Sequence, residues 1–103
     1  MVSVLILTFN EEVNLPTCLK SLAWCDDIVV FDSFSTDRTL DIAKAAGARI
    51  IQRNFDNWSA HQNWAVAHIP FKHPWVYYSD ADEVVTPQLA EMYRIAAGAI
   101  GPD

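Results

Sequence analysis

Asp80 and Asp82, with Ala81 between them and Glu83 behind, follow directly on the strand-like run Trp75, Val76, Tyr77, Tyr78. Carboxylates so placed stand at the C-terminal mouth of a buried strand, where open α/β sheets bind ligands. Two carboxylates at this spacing suit a hard divalent cation such as Mg²⁺ or Mn²⁺, which prefers oxygen ligands and keeps several waters, and a neighbouring hydroxyl. The chain has only three glycines, Gly47, Gly98 and Gly101. None falls in a strand-to-helix turn where backbone amides would cradle a phosphate, so a diphosphate held here needs a metal ion to neutralise it. The spacing by itself is a weak signal, because nine aspartates in 103 residues give about 0.8 such pairs by chance. The elements around the pair decide its weight.

Val2 to Leu7 is an almost wholly apolar run, as a parallel strand buried on both faces requires. A helix is predicted near Leu15, with Leu15, Cys18, Leu19 and Leu22 on one face and Pro16 in the first turn. Ile28 to Phe31 reads as a second strand, Asp32 to Thr36 as a polar turn, and Asp37 to Ala46 as a helix with Leu40, Ala43 and Ala46 inward, stopped by Gly47. Arg49 to Gln52 makes a third strand and Arg53 to Trp58 a loop. Ser59 and Gln62 form a capping box for a third helix running to about His68. After the fourth strand, Trp75 to Tyr78, Thr86 and Pro87 start a last helix with Leu89, Met92 and Ala96 inward. This βαβαβαβα order argues an α/β fold: a mostly parallel sheet of about four strands, helices on both faces and right-handed crossovers. In the common doubly wound order 3-2-1-4 the switch point lies between strands one and four, bringing Thr8, Phe9, Asn10, Asp32, Ser33, Asp80 and Asp82 to one rim.

Length and composition bound the reading. At 103 residues the chain is one domain at most, and a hydrophobic share of 51% with 19% charged residues is globular. Thirteen acidic against seven dispersed basic residues give a formal net charge of −6, which argues against nucleic acid as a partner. Cys18 and Cys25 lack metal-ligand spacing and read as packing thiols. The start of the chain carries no basic leader segment, and no apolar stretch approaches the roughly 20 residues that cross a bilayer. A cytoplasmic placement is expected, with peripheral attachment at the inner membrane face left open.

Four segments carry a resemblance: VSVLILTFNEE from Val2 to Glu12, Trp24 to Ile28, DSFSTDRT from Asp32 to Thr39, and Asp80 to Glu83. In this order they resemble the nucleotide half of family 2 glycosyltransferases of the Rossmann-like GT-A fold, and within it bacterial enzymes that add sugars to lipopolysaccharide core or other envelope glycans. The match spans residues 2–90. The resemblance implies a nucleotide-diphosphate sugar donor, with UDP-sugar as the family-weighted choice, and a glycan or glycolipid acceptor. It assigns Thr8, Phe9, Asn10, Glu12, Asp32, Asn63 and Asp80 to the nucleotide, and Asp82 with Asp80 to Mn²⁺ or Mg²⁺. Phe9 would lie against the base, Asp32 would accept from its imide N–H, and Glu11 or Glu12 would receive ribose hydroxyls.

Each assignment has a plainer reading: Phe9 as a core aromatic, Asp32 as a turn residue binding nearby amides, Glu11 or Glu12 as a first-turn acid. Asp37, Glu83 and Thr86 read better as helix-start residues. The chain also departs from the family pattern. Ser33 replaces a frequent second aspartate, Phe34 a frequent glycine, and Gln62 a basic residue beside Asn63, for which a mostly neutral His61 substitutes only in part. His61, His68 and His73 do not form a metal set. Trp58, Trp64 and Trp75 suit a carbohydrate platform, though tryptophans in a small domain usually pack in the core.

The GT-A fold normally continues past the metal motif with strands that hold the acceptor and the catalytic base, so residues 1–103 are expected to form a single donor-binding domain without the acceptor half. The base is expected beyond Asp103, and no residue of the chain is assigned to it. Inverting transfer is the expected stereochemistry, and an exposed sheet edge leaves homo-oligomerisation open. The alternative is a non-catalytic nucleotide-sugar-binding or interaction domain. A nucleotidyltransferase would want a glycine-rich basic loop where Thr8 to Glu12 stand, and an aspartate-pair phosphatase or receiver module would carry its acids after strand one.

Overall fold

The computed structural model describes residues 2–82. These form β1 (Ser3–Thr8), α1 (Leu15–Ser21), β2 (Ile28–Asp32), α2 (Thr39–Ala45), β3 (Arg49–Gln52), α3 (Trp58–His68) and β4 (Val76–Asp80). The four strands are parallel in the order β3-β2-β1-β4, as the alternating pattern predicts. Glu83, Thr86 and the fourth helix expected around Leu89, Met92 and Ala96 lie outside the described residues. So does Asp103, past which the catalytic base is expected.

Apolar runs without alternation become strands covered on both faces. Successive side chains of a strand point to opposite sides, so Val4, Ile6 and Val30 meet Leu15, Cys18, Leu19, Leu22 and Ala43 beneath α1 and α2. Leu5, Val29 and Phe31 meet Ala65 of α3 and its C-cap residue Ile69 on the other side. The chain steps outward from β1 to β3 through α1 and α2, then returns through α3 to lay β4 on the far side of β1. Because parallel crossovers are right-handed, that reversal is what moves α3 to the second face and opens a crevice between the carboxyl ends of β1 and β4.

Helix ends show where local chemistry differs from the simplest pattern. The α1 stripe Leu15, Cys18, Leu19, Leu22 is buried as expected. Helix α2 starts at Thr39 rather than Asp37, whose carboxylate Oδ1 accepts from the Thr39 N–H at 2.9 Å. Its end is a Schellman motif: Gly47 at φ 77° donates to the Lys44 carbonyl and Ala48 to the Ala43 carbonyl. Ala46, expected inward, is an exposed cap residue, and Ile42 packs towards the core instead. The Ser59–Gln62 capping box is not used. Asn57, extended at φ −154°, ψ 164°, caps α3 by accepting from the Ala60 N–H at 2.9 Å, which leaves Ser59 inside the first turn. Asp80 is the last residue of β4, not the first after it, and Asp32 ends β2 rather than opening the turn.

A buried carboxylate precedes β2. Asp27 accepts from Ser3 Oγ at 2.6 Å, from the Lys72 N–H at 2.8 Å and from Arg49 Nη2 at 2.9 Å. These bonds tie β1, β3 and the β4 approach to one point. Beside it, Asp26 accepts from Lys72 Nζ at 2.6 Å and contacts His73 Nε2 at 2.7 Å, which lowers its pKa to about 2.

Burial alone would raise the Asp27 pKa, but its bonds from Ser3, the Lys72 amide and Arg49 outweigh burial and hold it below the ordinary 3.8. A depressed folded pKa stabilises the fold above the unfolded value, and the contribution is lost as pH falls through the folded one. Asp27→Ala should therefore lower stability by about 2–4 kcal/mol at pH 7, read as a lower urea midpoint, since it strands buried donors. The same variant should flatten the loss of stability expected of the parent chain below about pH 4.

Candidate functional site

The crevice at the carboxyl end of the sheet is a cavity of about 840 Å³. Leu7, Thr8, Phe9 and Glu11 line it from the end of β1, Ser33 from the end of β2, and Asp80, Ala81 and Asp82 from the end of β4. Asn54, Phe55, Trp58 and His61 close it from the β3–α3 connection and the first turns of α3. Asp80 and Asp82 are exposed, whereas Ala81 between them is buried in the α1 core. The chain leaves β4 at Asp80 and turns through Ala81 and Asp82, so that two exposed carboxylates flank one residue anchored in the core.

The rim is held by side-chain bonds between the ends of β1 and β2. Asp32 is fully buried, and four donors surround it: Thr8 Oγ1 at 2.6 Å, the Ser35 N–H at 2.8 Å, Ser35 Oγ, and Gln52 Nε2 at 3.3 Å. Burial would raise its pKa, but the Ser35 and Thr8 hydroxyls and the Ser35 amide hold it below the ordinary value. Asn10, at φ 53°, accepts from the Thr36 N–H at 2.8 Å and donates its own N–H to Ser35 Oγ at 2.8 Å. The Glu11 N–H reaches Thr39 Oγ1 at 2.9 Å, and the Glu12 N–H reaches Asp37 Oδ2 at 3.2 Å.

Of the residues expected at the site, the structure brings Thr8, Phe9, Asp80 and Asp82 to the cavity wall. Phe9 is 58% exposed there, so its ring is not a core aromatic. Asp32 lies beneath the wall behind Thr8, and Asn10 is engaged with Thr36. Glu11, not Glu12, lines the cavity. Asn63 is exposed on α3 and is not among the lining residues.

On the α3 side, Trp58 is 59% exposed and meets Phe55 edge-to-face with ring centroids 5.2 Å apart. Trp64 is instead half-buried against the core, stacked on Phe31 and on His68. His61 is 1% exposed and stacks on Phe31 at 4.0 Å with 15° between planes. Its Nδ1 lies 3.0 Å from Arg53 Nη1, and Arg53 in turn grips both carboxylate oxygens of Asp56 at 3.0 Å. Burial and the adjacent guanidinium push His61 below the usual histidine range, so its ring is neutral at pH 7. Phe55, Trp58 and His61 recur every third residue, a signal for one helix-start face that becomes visible once the helix begins at Trp58. Among the described residues no three His, Cys, Asp or Glu side chains are grouped to enclose a metal ion.

The sequence model of Glycosyl transferase family 2 matches residues 3–97. This chain belongs to glycosyl transferase family 2. It is 32% identical over 95 residues to the lipopolysaccharide core biosynthesis glycosyltransferase LpsC of Rhizobium meliloti, covering 87% of this chain and 34% of that one. In fold it is similar to S. aureus TarS 1-349, with a TM-score of 0.75 at 24% identity, covering 94% of this chain and 32% of TarS. It is also similar to glucosyl-3-phosphoglycerate synthase of M. tuberculosis, with a TM-score of 0.71 at 23% identity, covering 98% of this chain and 41% of the synthase. The family 2 chain spans about a third of the length of the curated relatives it matches. Both similar structures carry the GT-A fold, which agrees with the parallel order found here. Among the described residues no helix is long and apolar enough to cross a membrane.

Phe34, which stands where the family pattern favours glycine, has φ 60°. A non-glycine residue there costs about 1–2 kcal/mol, and the ring is half exposed. Phe34→Gly should therefore leave stability unchanged or raise it by about 1 kcal/mol, measured as the urea midpoint.

Proposed function

We propose that this chain forms the donor site of a glycosyltransferase, binding a nucleotide-diphosphate sugar, UDP-sugar in the first instance, in the cavity between β1 and β4. The observation that carries the reading is that Asp80 and Asp82 share one cavity with Phe9 and Glu11 at the switch point of a parallel sheet. Phe9 offers an exposed face to a base, and Glu11 offers a carboxylate to ribose hydroxyls. Similar structures support the ligand class: TarS crystallises with UDP-GlcNAc, and the mycobacterial synthase with Mn²⁺, UDP and glucosyl-3-phosphoglycerate.

The residues present fit a divalent cation shared with the ligand. Two exposed carboxylates, with no metal-enclosing group of three among the described residues, are too few to cage a metal. They suffice for Mg²⁺ or Mn²⁺, which completes its shell with water and phosphate oxygens. Such a cation, when bound, supplies charge neutralisation for a departing diphosphate. Asp82 and Asp80 would hold it, and the backbone of Ala81, packed in the core, fixes their separation. Likeness to LpsC favours an envelope glycan or glycolipid as acceptor, met at the cytoplasmic face of a membrane.

Calorimetric titration of UDP into the chain with Mn²⁺ tests this reading. Saturable binding is expected, abolished by EDTA and weakened at least tenfold in Asp82→Ala, about 1.4 kcal/mol or more. Absence of binding with Mn²⁺, or equal binding by Asp82→Ala, would overturn it.

A further inference from the structure

His61 is a buried ring whose two nitrogens face different surroundings. Arginine carries donors only, so Nδ1, 3.0 Å from Arg53 Nη1, must accept. The proton of the neutral ring therefore sits on Nε2. Arg53 cannot turn away cheaply, because Asp56 holds it at two points and its guanidinium also lies 5.9 Å over the Trp64 ring. The plane is fixed as well, with Phe31 stacked on one face at 4.0 Å and Phe55 in edge contact at 5.3 Å. No buried side-chain nitrogen or oxygen among the described residues lacks a partner. The His61 ring is hydrogen-bonded through Nδ1, so Nε2 is the polar atom that reaches the cavity His61 lines.

We propose that His61, locked in the Nε2–H tautomer by the Arg53–Asp56 pair, donates a hydrogen bond from Nε2 to an acceptor oxygen of the bound uridine nucleotide, a base carbonyl or a phosphate oxygen. This rests on the donor-site reading and adds a residue on the wall opposite the two aspartates. A neutral donor contributes little to neutralising charge. It contributes orientation, since a ligand with no acceptor at that point would cover the N–H and leave it unsatisfied, which costs more than a missing bond in water. Arg53 and Asp56 act here as positioning residues: neither lines the cavity, and both act through the ring they orient.

The test uses the ¹⁵N-labelled chain with Mn²⁺. Long-range ¹H–¹⁵N spectra should show one His61 tautomer, protonated at Nε2, and UDP should shift the Nε2–H resonance. His61→Phe, which keeps a ring against Phe31, should bind UDP about tenfold more weakly, and His61→Gln, which returns an N–H near the same point, within about threefold of the parent. Arg53→Met should bring a second tautomer into the spectrum. Uridine in place of UDP separates the two oxygen sources: a shift with both ligands marks a base carbonyl, a shift with UDP alone a phosphate oxygen. UDP binding with the His61 signals unmoved, or an Nδ1–H tautomer in the free chain, would overturn the assignment and leave the donor site standing. Failure of UDP to bind the parent chain would overturn both.

Discussion

A carboxylate removed from water must be surrounded by donors or give up its charge, and this fold places one at each end of its central strand. Asp27 lies just before β2 and Asp32 closes it. Each is buried, and each reaches one partner on β1 and one on β3: Ser3 and Arg49 for the first, Thr8 and Gln52 for the second. Apolar packing brings strands together but tolerates sliding, whereas paired anchors at both ends admit a single alignment. A slip by one residue would also turn Phe31 from the α3 face to the α1 face. Register, and with it the height at which the strand ends meet the cavity, is specified by these two charges.

From that anchorage the rim divides its acids into two kinds. Asp32 and Asp37 are consumed by local hydroxyls and amides and build the walls. Asp80, Asp82 and Glu11 stand on the walls themselves. The opposite wall is aromatic and neutral, so the cavity is polarised across its width, with carboxylate oxygens on the β4 side and rings with an N–H on the α3 side.

Much of this was legible in the sequence. Unbroken apolar runs separated by amphipathic segments led to a parallel sheet in the observed order, and the α1 stripe reads directly from its spacing. The Phe34 departure from glycine marked a position whose backbone is indeed left-handed. Other features depend on distance in the fold rather than along the chain. Asp32 gathers partners from 24 residues before it and 20 after it, which no local pattern reveals. Trp58 and Trp64 share one helix, yet one is more than half solvent-exposed and the other is stacked on the core, because only the first projects past the end of the sheet. Ser59 with Gln62 satisfied the capping rule, but Asn57 offered an equally good acceptor and an extended backbone two residues earlier.

Helix α3 does two jobs with one set of residues. Among the described elements it is the helix that packs over Leu5, Val29 and Phe31, and its first turns also form the cavity wall. A molecule that binds the cavity only while this layer is seated on the sheet would add its own binding free energy to the layer by mass action. The helix extends roughly 16 Å from that wall to Ile69, which is buried in the same cluster. One short helix therefore shapes the crevice wall with its first turns and covers the second face of the sheet with the rest of its length.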